Sequence, residues 1–161
     1  DTSVFEYVFI NKLWPLIKLS PVAYSTRRTA DSQHQAFTGY GLFLTRDDIA
    51  KIVNFLTSEY DKKSTLLNNP RLTKTLRNSS SNTEMKTQYD FIHYHNSFWK
   101  QNVSKLLNCK NETWLPYMLG YGGIAMVLAS NNMQYYYFSD SDKYNWRSAI
   151  KELEKIAPLC R

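Results

Sequence analysis

The sequence predicts an α+β fold in which helices and loops come first and an antiparallel hairpin and C-terminal helix come last. Three observations predict it. Apolar residues recur at helical spacing in Val4–Trp14 and again behind Thr45. Beyond Pro116 they form two long runs, Met118–Ala129 and Met133–Phe138, split by Ser130-Asn131-Asn132. All five glycines of the 161-residue chain fall in two clusters, Gly39-Tyr40-Gly41 and Gly120-Tyr121-Gly122-Gly123. Glycine has no Cβ, so this confinement marks places where backbone must turn or come close to something. Length and a hydrophobic content of 43% suit a single domain or partial domain. Its residues 1–115 read as mainly helical and looped, and 116–161 as strand, hairpin and helix.

The opening segment places Val4, Phe5, Val8 and Phe9 on one face of a short amphipathic helix that Pro15 closes. Lys18–Phe37 holds Pro21, the Arg27-Arg28 pair and few apolar repeats, which predicts an ordered connection of little regular structure. Thr45 caps the next helix, Asp48 occupies the acid position of a capping box, and Ile49, Ile52, Val53, Phe55 and Leu56 supply the apolar face. Asp47 and Asp48 complement the positive helix N-terminus, so their pairing has an electrostatic reason without catalysis. Asp61–Lys86 is polar and includes Asn78-Ser79-Ser80-Ser81-Asn82, the composition of a surface loop. Phe98, Val103, Leu106 and Leu107 predict a helix within Tyr89–Leu107 that ends before Cys109. The last helix, capped by Asp140 or Ser141, carries Trp146, Ala149, Ile150, Leu153 and Ile156 as one stripe before Pro158.

A formal charge of +6 favours anionic partners, but the basic residues are scattered. The densest stretch, Asp61–Asp90, has no ring before Tyr89, whereas single-strand binders interleave stacking rings with charges, so no nucleic-acid partner is expected. No apolar run reaches the roughly 18 residues of a membrane-spanning helix. The chain opens at Asp1 without a basic and apolar leader, so any signal peptide is expected to have been removed or left out. Cys109 and Cys160 lack the spacing of a metal site and are either one disulfide, tying the C-terminal end to the body, or two buried thiols. Asn78, Asn102 and Asn111 head Asn-x-Ser/Thr triplets that matter only in a eukaryotic secretory pathway.

Little in the chain has the spacing of a catalytic centre. His93 and His95 would share a face of an extended segment near Asp90, but further metal ligands are not grouped with them, so no metal or other cofactor is expected. Ser148-Ala149-Ile150-Lys151 matches the S-x-x-K pattern of acyl-transferring serine enzymes, yet lies inside the amphipathic last helix rather than at a cleft. Tyr94-His95-Asn96 matches Y-x-N in a chain with twelve tyrosines. His34 stands alone in a polar segment.

Taken in order, several segments resemble the later part of the serine β-lactamase and penicillin-binding-protein superfamily, above all its class C and esterase-like branch. Trp14-Pro15-Leu16 with Leu19-Ser20-Pro21 resembles that family's P-L-G-L passage. Gly39 to Lys51 resembles its G-L-x-x-T-x-x-D-L-A-R helix entry, and Tyr121-Gly122-Gly123 its third active-site motif. The resemblance implies a partial β-lactamase/DD-peptidase-like fold, with the motif on a sheet strand followed by a hairpin partner and a helix packed on the sheet. It implies a substrate-binding role for Tyr121, Gly122 and Gly123, and an oxyanion-hole N–H near Ile124. The family's S-x-x-K and Y-x-N precede the P-L-G-L passage, and this chain begins too late to hold either in place. Ser148 and Tyr94 therefore take no catalytic role, and the isolated chain is expected to be inactive. Tyr121 stands where β-lactamases carry a carboxylate-binding lysine, which points to ester, amide or peptide-like substrates.

The expected function is thus part of a periplasmic or secreted serine hydrolase that contributes one wall of an acyl-transfer cleft. The alternatives are a secreted binding module for an anionic cell-wall or glycan polymer, and a non-catalytic relative kept as a scaffold for partners. A fragment would leave the edge of the hairpin Met118–Phe138 unpaired, which predicts self-association or an N-terminal partner chain.

Overall fold

The computed structural model of the chain describes residues 5–37, 41–60, 76, 85–86, 88–129, 133–139 and 141–160. They form two compact units, Asp1–Phe55 and Leu56–Arg161.

In the first unit a π-helical segment, Phe5–Leu13, runs into the α-helix α1, Trp14–Ile17, and Lys18 ends it in the left-handed conformation. Pro15 sits in the first turn of α1 rather than closing a helix, a position where its missing N–H deprives no earlier carbonyl within α1. The Trp14 indole N–H donates to the Ser20 carbonyl at 3.1 Å, and a 3₁₀ turn, Pro21–Tyr24, follows. The connection beyond it is irregular apart from one antiparallel bridge, Arg28↔Ala36. Gly41 adopts φ +114°, and a Cβ there would lie 3.0 Å from the Arg27 Cβ, so the glycine permits the close approach at which Arg27 N–H and the Thr26 hydroxyl donate to the Gly41 carbonyl. Its companions Gly39 and Tyr40 lie outside the described residues.

Helix α2, Arg46–Tyr60, begins in the capping box that Thr45 and Asp48 predict. The Asp48 N–H donates to the Thr45 hydroxyl at 3.1 Å, and the Thr45 N–H returns a bond to Asp48 Oδ2 at 2.9 Å. Ile49, Val53 and Phe55 are buried from the expected apolar face, as are Phe5, Leu19 and Ala23 elsewhere in the unit.

The second unit makes the fold α+β. Its six strands follow chain order across one antiparallel sheet: β1 Met85–Lys86, β2 Ile92–His95, β3 Phe98–Asn102, β4 Trp114–Gly120, β5 Ile124–Leu128 and β6 Gln134–Tyr137. A short helix α3, Ser104–Leu107, links β3 to β4. A 3₁₀ segment, Asn145–Ala149, continues into α4, Ile150–Ile156. Register aligns Trp99, Tyr117, Val127 and Tyr135 across β3–β6. On that face the core gathers Val103, Leu115, Tyr117, Ala125 and Val127 against Trp146, Ile150 and Leu159, with the rings of Trp146 and Tyr117 4.6 Å apart and tilted by 47°. The row on the other face, His93, Lys100 and Pro116, is buried too. Burial on both faces explains why β4 and β5 read as continuous apolar runs rather than as alternation.

Four expectations are corrected. Tyr89–Leu107 forms the β2–β3 hairpin and only the last turn is helical, because Asn96 and Ser97 both take positive φ, 46° and 68°, and fold the chain back at once. Strands therefore appear within 1–115, which had read as helix and loop. The run Met118–Ala129 is divided between β4 and β5 by a turn at Tyr121–Gly123. The last helix has no side-chain cap: Tyr144 precedes its 3₁₀ start, Ser141 lies upstream, and Asp140 is outside the described residues. The β5–β6 pairing is the hairpin predicted around 130–132, although those three residues are themselves outside the description.

Cys109 and Cys160 are joined in a disulfide with Cα atoms 5.3 Å apart, which resolves the choice between a bridge and two thiols. It links the end of α3 to the segment behind α4, where Leu159 is buried and its N–H is held by the Glu154 carboxylate. A disulfide is compatible with a secreted or extracellular protein. Among the described residues no helix is long and apolar enough to cross a membrane.

Candidate functional site

Strands β4 and β5 meet at Gly120↔Ile124, so Tyr121, Gly122 and Gly123 are the three residues of a tight hairpin loop. The sequence placed this triplet on a strand; the structure places it in the turn. Gly122 and Gly123 have φ of +84° and +79°, values that strands do not use and that side chains with a Cβ resist. Gly123 is further constrained by its neighbours, since a Cβ there would lie 2.8 Å from the Ser139 Cβ and 3.3 Å from the Asp142 Cα. At Gly122 the nearest atom to an added Cβ is Asp142 Oδ1 at 3.8 Å, so only the dihedral demands glycine.

The turn is clasped from behind. The Tyr144 hydroxyl donates to the Gly120 carbonyl at 2.9 Å, and Ser139 Oγ accepts from the N–H groups of Ser141 and Lys143. The first of these bonds reaches the hairpin, the other two lie within the segment 139–143 that packs beside Gly123, and Tyr121 projects outward with 83% of its surface exposed. Ile124 opens β5 at the mouth of the hairpin and is half-buried. The four predicted site residues therefore share one hairpin end, which presents an exposed aromatic ring beside two glycines in the left-handed region. The clasp by Ser139, Asp142 and Tyr144 was not read from the sequence, because nothing local links residues about twenty positions beyond the glycines to the turn they support.

The other candidates have local explanations. Ser148 donates its hydroxyl to the Asn145 carbonyl at 2.8 Å inside the 3₁₀ segment, and Lys151 is exposed. Tyr94 packs on Trp99 at 4.8 Å. His93 and His95 do share a face of β2, as their alternation predicts. His93 is buried against the Trp114 ring at 4.5 Å, and His95 Nε2 is 3.0 Å from the Asn96 amide. Among the described residues no three His, Cys, Asp or Glu side chains come together as a metal site. His34 takes positive φ in an exposed turn, and its carbonyl accepts from the Arg28 guanidinium. Asn102 uses its amide within the fold, donating to Glu112 and accepting from Ser104 N–H, whereas Asn111 is exposed and Asn78 is outside the described residues.

Two polar groups inside the fold make contacts to positions far away in the sequence, which no local pattern announced. Asp48 is fully buried and accepts from the N–H and hydroxyl of Ser20, both at 2.6 Å, and from the N–H and hydroxyl of Thr45. Burial raises its pKa, but the four donors outweigh that and hold the carboxyl well below the usual range. Arg147 bonds the buried amide of Gln101 and lies over Trp146. Burial pushes the Tyr117 hydroxyl up, and the neighbouring Arg147 guanidinium offsets only part of it.

No family model matches the chain, and no curated protein or solved structure matches it.

Proposed function

We propose that this chain forms one wall of the acyl-transfer cleft of a periplasmic or secreted serine hydrolase with a β-lactamase/DD-peptidase-like fold, acting on an ester, amide or peptide-like bond. Tyr121, Gly122, Gly123 and Ile124 face the substrate, and the nucleophile is not among the residues of this chain. The reading is carried by the hairpin end itself: the glycine motif that resembles the family's third active-site element stands at an exposed, rigidly clasped tip. An antiparallel sheet with a C-terminal helix packed against it is compatible with that reading, although the motif lies in the β4–β5 turn and not on a strand. The engaged hydroxyl of Ser148 fits a chain without its own nucleophile. A preorganised N–H beside the exposed tip would act on the developing oxyanion.

A fluorophosphonate probe, with nitrocefin and p-nitrophenyl esters as substrates, tests the proposal on two chains. The isolated chain stays unlabelled and inactive. A longer parent chain with an upstream S-x-x-K is labelled, and Tyr121→Ala in it lowers kcat/KM about tenfold, the loss of one contact of about 1.4 kcal/mol in the transition state. Labelling of any serine in the isolated chain, or a parent indifferent to Tyr121→Ala, refutes the assignment. The exposed rings of Tyr121, Phe138 and Tyr144 together with the +6 charge favour a second reading, an anionic-glycan binding module. Retention on polysaccharide that salt abolishes, without labelling of either chain, would select it.

A further inference from the structure

Two of the Asn-x-Ser/Thr triplets lie within the described residues, and they interlock. Asn102-Val103-Ser104 runs from the end of β3 into α3, and Asn111-Glu112-Thr113 leads into β4. The first triplet is spent on holding the second. The Asn102 amide donates to Glu112 Oε1 at 3.0 Å, its oxygen accepts from the Ser104 N–H at 3.0 Å, and Ser104 Oγ accepts from the Thr113 N–H at 2.7 Å. Val103 between them is fully buried and donates its N–H to the Thr113 carbonyl at 2.9 Å. The second triplet is anchored at one end and open at the other. Thr113 is buried and its hydroxyl donates to the Asn111 carbonyl at 3.3 Å, whereas Asn111, with Lys110 and Glu112 on either side, is exposed in a bend.

We propose that Asn111 carries an N-linked glycan and that Asn102 does not. In the transfer Asn111 Nδ2 attacks the anomeric carbon of a lipid pyrophosphate-linked oligosaccharide: the C–N bond forms, the bond from that carbon to the pyrophosphate oxygen breaks, one amide proton passes to base and the lipid pyrophosphate leaves. The glycan is bulky and hydrated, so a folded chain keeps it only where the acceptor residue stands in water. At Asn111 it extends from an exposed bend. At Asn102 it would have to take the place of Glu112 against the amide, on a strand residue paired with Trp114. The Cys109–Cys160 bridge fits passage through the same oxidising compartment. It also closes late: Cys160 is made 51 positions after Cys109, so the neighbouring Asn111 triplet meets the transferase before the bridge ties it down. The proposal takes the secreted location over the periplasmic one and does not rest on the hydrolase reading, since it concerns the α3–β4 connection and not the glycine turn.

Secretion of the full chain from eukaryotic cells tests it, with Asn78→Gln as background so that the third triplet contributes nothing. Most of the secreted chain runs as a single heavier species that peptide-N-glycosidase returns to the mass of the bare polypeptide. Asn111→Gln abolishes that shift and leaves secretion and the thermal unfolding of the deglycosylated chain unchanged, because the side chain is exposed. Asn102→Gln loosens the Glu112 contact and could reduce secretion, so the site is also read directly. Deglycosylation in heavy-oxygen water leaves labelled aspartate at position 111 in the peptide map and unlabelled asparagine at 102. A secreted chain without glycan, a shift that survives Asn111→Gln, or label at position 102 overturns the proposal.

Discussion

Asp48 shows how much one residue can do when burial and hydrogen bonding act together. Its carboxylate caps α2 and also holds Ser20, 28 positions earlier, so one side chain closes a long-range contact within the first unit. Asp48→Asn removes the charge, and its NH₂ would face donors where an oxygen now accepts; it should cost about 3 kcal/mol near neutral pH, as loss of charge-assisted bonds to a buried group does. The folded pKa lies below the unfolded one, so in acid the unfolded chain binds the extra proton. The contribution of Asp48 is therefore complete above the ordinary carboxylate value and is lost as pH falls from there toward the folded pKa. Urea titrations at neutral pH and at about pH 3 should show wild type and Asp48→Asn converging in acid; a constant gap would show that the charge is not what matters. The capping box was legible from Thr45-x-x-Asp48, since its geometry lies within one helical turn. The bond to Ser20 was not, because no local rule connects the two.

Among elements, the β2–β3 hairpin is where local reading failed. Phe98, Val103, Leu106 and Leu107 have helical spacing, but the first belongs to β3 and the others to α3 and its approach. The deciding signal was the pair Asn96-Ser97 in a left-handed turn, which lacks the glycine that usually announces it. Ser97 holds φ 68° at an exposed position, so Ser97→Gly should relieve strain and stabilise the fold by up to about 1 kcal/mol, raising Tm by about 3 °C. A thermal melt checks this, and a lower Tm would mean that the serine side chain contributes more than its backbone costs. The terminal stripe was read correctly only in part: Trp146 and Ile150 are fully buried against the sheet and Leu153 packs beside them, but Ile156, expected on the same stripe, is 76% exposed. Its start was misplaced because a 3₁₀ segment, with no side-chain cap, replaces the expected first turn.

For the molecule as a whole, the disulfide fixes the segment behind α4 to the α3–β4 connection across 51 positions, beside the buried Leu159. Closing a loop of that length removes unfolded-state entropy worth about 4 kcal/mol in the chain-entropy model. The double variant Cys109→Ser with Cys160→Ser should lose about that much in a chemical unfolding experiment, with a loss below about 1 kcal/mol excluding a main stabilising role. The sequence by itself determined the α+β class, the Thr45–Asp48 cap, the β5–β6 hairpin, the buried Trp146 and Ile150 of the last stripe and the two segments in which glycines take left-handed dihedrals. Each is a matter of period, composition or dihedral freedom within a few residues. Only the tertiary structure decided that Cys109 and Cys160 are bonded, that Tyr121–Gly123 is a turn clasped by Ser139, Asp142 and Tyr144, and that Asp48 reaches Ser20. Those outcomes depend on which distant segments the sheet register and the packed core bring within hydrogen-bonding distance, and that distance is not encoded in any single stretch of chain.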